Sequence, residues 1–195
     1  MAEKHKLLAI TFDEVQEDYI NVSGLDTKTP ETWPDRAEGA LKDIKRDSKE
    51  KGFTLDDAVI VHKTPKGGLK IRESKDMTTG KGAGRGAFWG LLVGLIFGGP
   101  LLGLLGGLGI GAVFGKAVDH GIDNQFIKDV GNSLRPTRSA ILMLVPVSDY
   151  DNAMAYLKTY DTKIYEADFS EETHAAVKKA AEDPKVADAV EAEYK

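Results

Sequence analysis

Apolar residues fall into three patterns along this chain. Short β-branched or aromatic-bearing runs predict strands at residues 7–12, 58–61, 140–145 and 163–167, and Leu69 and Ile71 alternating with Lys70 and Arg72 predict another. Spacings of three and four predict helices: Ala37, Ala40, Leu41 and Ile44; Ile122, Phe126, Ile127, Val130 and Leu134; Ala153, Tyr156, Leu157 and Tyr160 within residues 148–160. Ser170 caps a further helix whose first turn carries Glu171 and Glu172, and Asp183-Pro184 separates it from a short one bearing Val186 and Val190. Residues 15–34, with Gly24, Pro30 and Pro34, predict a loop.

The third pattern organises the rest. From Gly82 to Gly115 the only charge is Arg85, and glycine recurs in steps of four: Gly82, Gly86, Gly90, Gly94 and Gly98, then Gly99, Gly103, Gly107, Gly111 and Gly115. Such steps align residues on one helix face, so each series predicts a helix with a glycine stripe. Gly98-Gly99-Pro100 predicts the turn between them, because glycine favours the residue past a helix end and proline the first helical position. Glycine costs a helix about 1 kcal/mol relative to alanine, so close backbone approach between helices is the expected return. The remaining positions, including Phe88, Trp89, Leu92 and Ile96, then Leu101, Leu105, Leu108 and Phe114, are apolar all round and need lipid or protein on every side.

Without the glycine segment, strand-helix-strand-strand precedes it and strand-helix-strand-helix follows. Neither half closes a core alone. The expected architecture is therefore α+β: a ferredoxin-like split βαβ sheet interrupted by a glycine-zipper helical hairpin. The divisions are residues 1–75 for the first half of the α+β domain, 76–120 for the hairpin insertion, and 121–195 for the second half and C-terminal helices. A single membrane crossing would part the half-sheets, so the hairpin must go out and return. Each arm has roughly 17 residues and about 25 Å of helix, slightly short of the ~30 Å hydrocarbon core.

Charge refines this picture. The 195 residues carry a net charge of −5, yet none of it lies between Gly86 and Gly115. Lys81, Arg85 and Lys116 flank the hairpin as expected membrane-interface anchors on the cytoplasmic side, with Trp89 as an aromatic anchor or, equally, a core residue. No basic face or motif for nucleic acid is present. The absence of cysteine excludes disulfides and thiolate chemistry. The N-terminal residues lack a signal-peptide pattern, so both termini are expected in the cytoplasm.

The runs Leu8-Ala9-Ile10-Thr11-Phe12-Asp13, Asp57-Ala58-Val59-Ile60-Val61, Thr78-Thr79-Gly80-Lys81-Gly82-Ala83 and Phe88-Trp89-Gly90-Leu91-Leu92-Val93-Gly94-Leu95-Ile96-Phe97-Gly98-Gly99-Pro100, with the Gly121-Ile122-Asp123 to Phe126-Ile127 helix, carry a resemblance. Over most of residues 6–170 the chain resembles a bacterial family catalogued as domain of unknown function 1269, described as predicted membrane proteins. The resemblance implies membrane association and offers no activity, cofactor or catalytic residue. The loop at 15–34 is longer than the family pattern.

Candidate chemistry is sparse. The glycine-rich residues 80–86 lack the Ser or Thr of a phosphate loop, and a dinucleotide fingerprint lacks its downstream acid. His5, His62, His120 and His174 show no metal-ligand spacing, and Asp13, Glu14, Glu17 and Asp18 read as a solvated face. The expectation is a non-enzymatic protein without cofactor, metal or identified small-molecule substrate. It associates with lipid at the inner membrane and forms a homo-oligomer through the glycine stripes, with a cytoplasmic α+β domain. Alternatives are a soluble particle or filament whose hairpins form an intersubunit core, and a small-ligand sensor.

Overall fold

The strand Ser139–Pro146 is buried at all eight positions, so it must lie inside a sheet covered on both faces. The computed structural model describes residues 4–12, 35–73, 82–98 and 121–194 and bears this out. Five strands, β1 (His5–Phe12), β2 (Asp57–Lys63), β3 (Leu69–Glu73), β4 (Ser139–Pro146) and β5 (Lys163–Phe169), form one sheet in the order β3-β2-β4-β1-β5. Every pairing is antiparallel, with Ile141 facing Ile10 on one side and Ile60 on the other. The fold is thus α+β, and the residues before and after the glycine segment do contribute strands to one sheet.

Because side chains alternate along a strand, the sheet sorts its apolar residues onto two faces. On one face Leu8, Ile10, Ile60, Ile141 and Met143 meet α1 (Asp35–Ser48) and α4 (Tyr150–Leu157). The i, i+3, i+4, i+7 set Ala37, Ala40, Leu41 and Ile44 is the buried stripe of α1. On the other face Leu7, Val59, Leu142, Leu144 and Phe169 meet α2 (Gly82–Phe97), α3 (Asn124–Ser133), α5 (Glu171–Ala181) and α6 (Pro184–Tyr194).

Helix ends follow local chemistry. Asp123 caps α3 by accepting from the Gln125 amide at 2.6 Å, and Ser170 caps α5 by accepting from the Thr173 amide at 3.1 Å. The former starts α3 two residues later than the apolar spacing alone suggests. The helix expected over 148–160 is shorter: a 3-10 turn at Val147–Asp149 precedes α4, which stops at Leu157.

α2 is the first arm of the expected hairpin, and its medium here is protein. Trp89, Leu92 and Val93 are each 0% exposed. Gly98 has φ +79°, the left-handed conformation that glycine adopts cheaply, at the position expected to turn the chain. Gly99, Pro100 and the second arm lie outside the described residues, as do the loop at 15–34 and residues 74–81. Among the described residues no helix is long and apolar enough to cross a membrane.

Candidate functional site

Two close approaches fix α2 in place. A Cβ built on Gly90 would collide with Val190 Cγ1 and lie 3.3 Å from Tyr194 Cδ2, so α6 sits directly on the glycine face of α2. On α3, a Cβ at Gly131 would come within 2.8 Å of the Ile96 carbonyl oxygen. Glycine at these crossings lets helices pack closer than side chains permit. Gly131 was invisible to the four-residue register because it belongs to another helix; its one signal was a glycine amid the amphipathic NQFIKDVGNS.

Where α2 begins, the elements leave a cleft of about 430 Å³. His5 from the start of β1, Asp56 and Asp57 from the start of β2, Arg85 from the first turn of α2, and His174 and Lys178 from α5 line it. His5 Nε2 and Asp56 Oδ2 are 2.5 Å apart. Arg85 Nε donates to Asp57 Oδ2 at 2.8 Å, and its Nη2 donates to Asp57 Oδ1, making a forked, half-buried pair. The His174 ring packs edge-on against His5 and Phe88, with centroids 5.5 and 5.4 Å away. Burial pushes the His174 pKa down; the charges of His5 and Lys178 add to this, while Asp56 opposes it.

Strand register explains how this cluster escaped the sequence. His5 pairs with Phe169, and one capped turn later α5 delivers His174. The two histidines are 169 positions apart in number but neighbours through the β1–β5 pairing, and only knowledge of that pairing reveals them. His62 stays apart, with Nδ1 3.1 Å from Ser139 Oγ; burial and then Lys70 lower its pKa.

The expected site residues separate into three groups. Gly82, Gly86, Gly90 and Gly94 lie along α2, and Gly98 ends it. Arg85 is turned to Asp57, and Trp89 is fully buried against the domain. Lys81, Gly99, Pro100, Gly103, Gly107, Gly111, Gly115 and Lys116 fall outside the described residues.

Residues 83–182 match the family model described as a protein of unknown function, DUF1269. The chain belongs to this family. The match begins within α2 and ends just past α5, so the DUF1269 segment supplies Arg85, Phe88, His174 and Lys178 to the cleft, while His5, Asp56 and Asp57 come from before it. No curated protein and no solved structure matches the chain significantly.

Chemically, the cleft can orient a small molecule and exchange a proton. Asp56 holds the His5 ring, and burial biases His174 towards its neutral imidazole form. Its described lining residues include no hydroxyl or thiol nucleophile. Among the described residues no group of three or more His, Cys, Asp or Glu is placed to hold a metal ion.

Proposed function

We propose that this DUF1269 protein is a non-enzymatic, membrane-associated protein of the cytoplasmic membrane that self-assembles through its glycine-zipper hairpin. Its cytoplasmic domain is read as ferredoxin-like. In support, β2-β4-β1-β5 interleaves the units β1-α1-β2 and β4-α4-β5, and both connecting helices pack on one face. β3 is then an added edge strand, and the glycine segment enters between β3 and β4.

The observation that carries the membrane reading is Trp89. It lies on a helix apolar all round from Gly86 to Phe97, and its indole N–H is buried with no hydrogen-bond partner. A buried unpaired donor costs about 1–3 kcal/mol, a cost removed when α2 leaves its seat on the domain for a membrane–water interface, where the ring stays in apolar surroundings and the N–H meets water or headgroups. The Tyr194 hydroxyl, packed on the same helix through α6, is buried and unpartnered too. The second arm adds apolar residues from Leu101 to Phe114 that also need lipid or another copy around them. α2, at 16 residues, suits a re-entrant or shallow insertion better than a full crossing.

The complete enclosure of Leu92 and Val93 by protein favours a second reading, a soluble assembly with an intersubunit helical core. Expression, lysis without detergent and ultracentrifugation decide between them. The membrane reading expects the protein in the pellet and, after reconstitution, co-floating with liposomes. A monodisperse oligomer that stays in the supernatant and does not float refutes it and supports the soluble assembly; a monodisperse monomer there refutes both.

A further inference from the structure

At the end of the sheet opposite the histidine cleft, a second cavity of about 460 Å³ collects positive charge on a chain whose net charge is −5. Arg36 reaches it from the first turn of α1, Arg135 and Arg138 from the turn between α3 and β4, and Lys163 from the first residue of β5. Asp161 is the one acid among its described lining residues. Arg36, Arg135 and Lys163 around one concavity repel one another, and an anion of matching charge relieves that repulsion.

The surroundings present these groups rather than merely tolerate them. The Arg36 guanidinium lies 5.9 Å from the centre of the Phe12 ring, and Lys163 Nζ lies 4.8 Å from that of Tyr165. Stacking occupies the face of a guanidinium and leaves its N–H edge for an oxyanion. The turn that carries the other two arginines is tight: the Arg138 amide donates to the Arg135 carbonyl at 3.1 Å, and Thr137 between them adopts φ 69°. A non-glycine residue held in that left-handed conformation is uncommon and concentrates at functional sites. The Thr162 hydroxyl, on another lining residue, is buried and has no hydrogen-bond partner.

We propose that this cavity binds the phosphate groups of an anionic ligand, through the edges of Arg36 and Arg135 and through Lys163. Phosphate oxygens match a guanidinium fork in pairs, and two or more negative charges answer the excess of cations over Asp161. The ligand is either a free phosphorylated small molecule or a phospholipid headgroup. This inference stands apart from the membrane reading, since a free ligand needs no membrane.

The test titrates the full-length protein with inorganic pyrophosphate by calorimetry, and separately with phosphatidylglycerol vesicles against phosphatidylcholine vesicles by flotation. Arg36→Gln with Arg135→Gln, both at exposed positions, should weaken binding roughly tenfold or more. Lys163→Gln, made separately, should act in the same direction. The control Lys66→Gln with Lys158→Gln removes equal charge at exposed positions elsewhere and should leave binding unchanged. Pyrophosphate binding that follows this pattern supports a free phosphorylated ligand, and phosphatidylglycerol binding alone that follows it supports a headgroup. Absence of both, or equal losses in the site and control variants, overturns the proposal.

Discussion

Gly90→Ala separates two accounts of the glycine stripe. If Gly90 were an ordinary exposed helix position, alanine would stabilise α2 by about 1 kcal/mol through helix propensity. The structure opposes this gain, because the new methyl would collide with Val190 Cγ1 and approach Val190 Cγ2 at 3.2 Å and Tyr194 Cδ2 at 3.3 Å. Val190 is β-branched and 5% exposed, so its methyls cannot swing clear and α6 itself must shift. Overpacking of this kind costs about 1–3 kcal/mol, which offsets or exceeds the propensity gain and leaves a net destabilisation of about 0–2 kcal/mol. The decisive quantity is therefore the coupling to Val190→Ala, which opens the space that the methyl needs. Urea denaturation of the wild type, both single variants and the double variant should give a coupling of at least ~1 kcal/mol, with the double variant more stable than additivity predicts. Additive effects, with Gly90→Ala alone stabilising by about 1 kcal/mol, would refute the contact between α2 and α6.

Three further outcomes follow from the same packing. His62 and His174 both titrate below the ordinary histidine value of 6.5 in the folded state because burial disfavours their charge. The unfolded chain then takes up protons first as pH falls, so stability is full above about 6.5 and declines below it towards the folded pKa values; a thermal midpoint unchanged between pH 7.5 and 5 contradicts this. Asp57→Asn should destabilise by about 1–3 kcal/mol in urea, since the half-buried Arg85 loses its carboxylate, and charge reversal of both partners should recover part of the loss. Trp89→Phe should fall within ~1 kcal/mol of wild type, because relief of the unpaired indole N–H compensates for lost volume, whereas Leu92→Ala should cost about 2–5 kcal/mol.

The strands were legible because β1, β2 and β4 are short apolar runs and β3 alternates, and the sharing of one sheet followed from two halves that each lacked a core. The helix stripes of α1, α3 and α4 were legible from spacing for the same reason, α5 from its Ser170 cap, and α6 from the break at Asp183-Pro184 with Val186 and Val190 beyond it. What covers the far sheet face was not. An all-round apolar segment reads the same whether lipid or protein surrounds it, and Trp89 carries no local mark of which applies. The cleft was hidden for a different reason: His5 and His174 meet only through the β1–β5 register, and Arg85, read as a membrane-facing charge, finds Asp57 across the fold. Pairings between distant segments are set by sheet topology, which local periodicity does not encode.

The Gly90 face cannot serve two partners at once. Here α6 occupies it with Val190 and Tyr194, so a second copy or a second hairpin arm can approach the same strip only if α6 withdraws. The amphipathic α6 is short, 11 residues, and follows a break at Asp183-Pro184, so its hold on the domain is chiefly this contact with α2, with smaller ones to α5 and β3. Assembly through that strip is then in competition with intramolecular closure, and each shifts with the other's strength. Val190→Ala weakens closure by removing two buried methyls, at about 0.8 kcal/mol each, without adding bulk to the glycine face. If the strip is the assembly surface, sedimentation velocity at matched concentration should show a larger assembled fraction for Val190→Ala than for the wild type. A less stable protein with the same association behaviour would show that Gly90 serves the fold alone and that any self-assembly uses another surface.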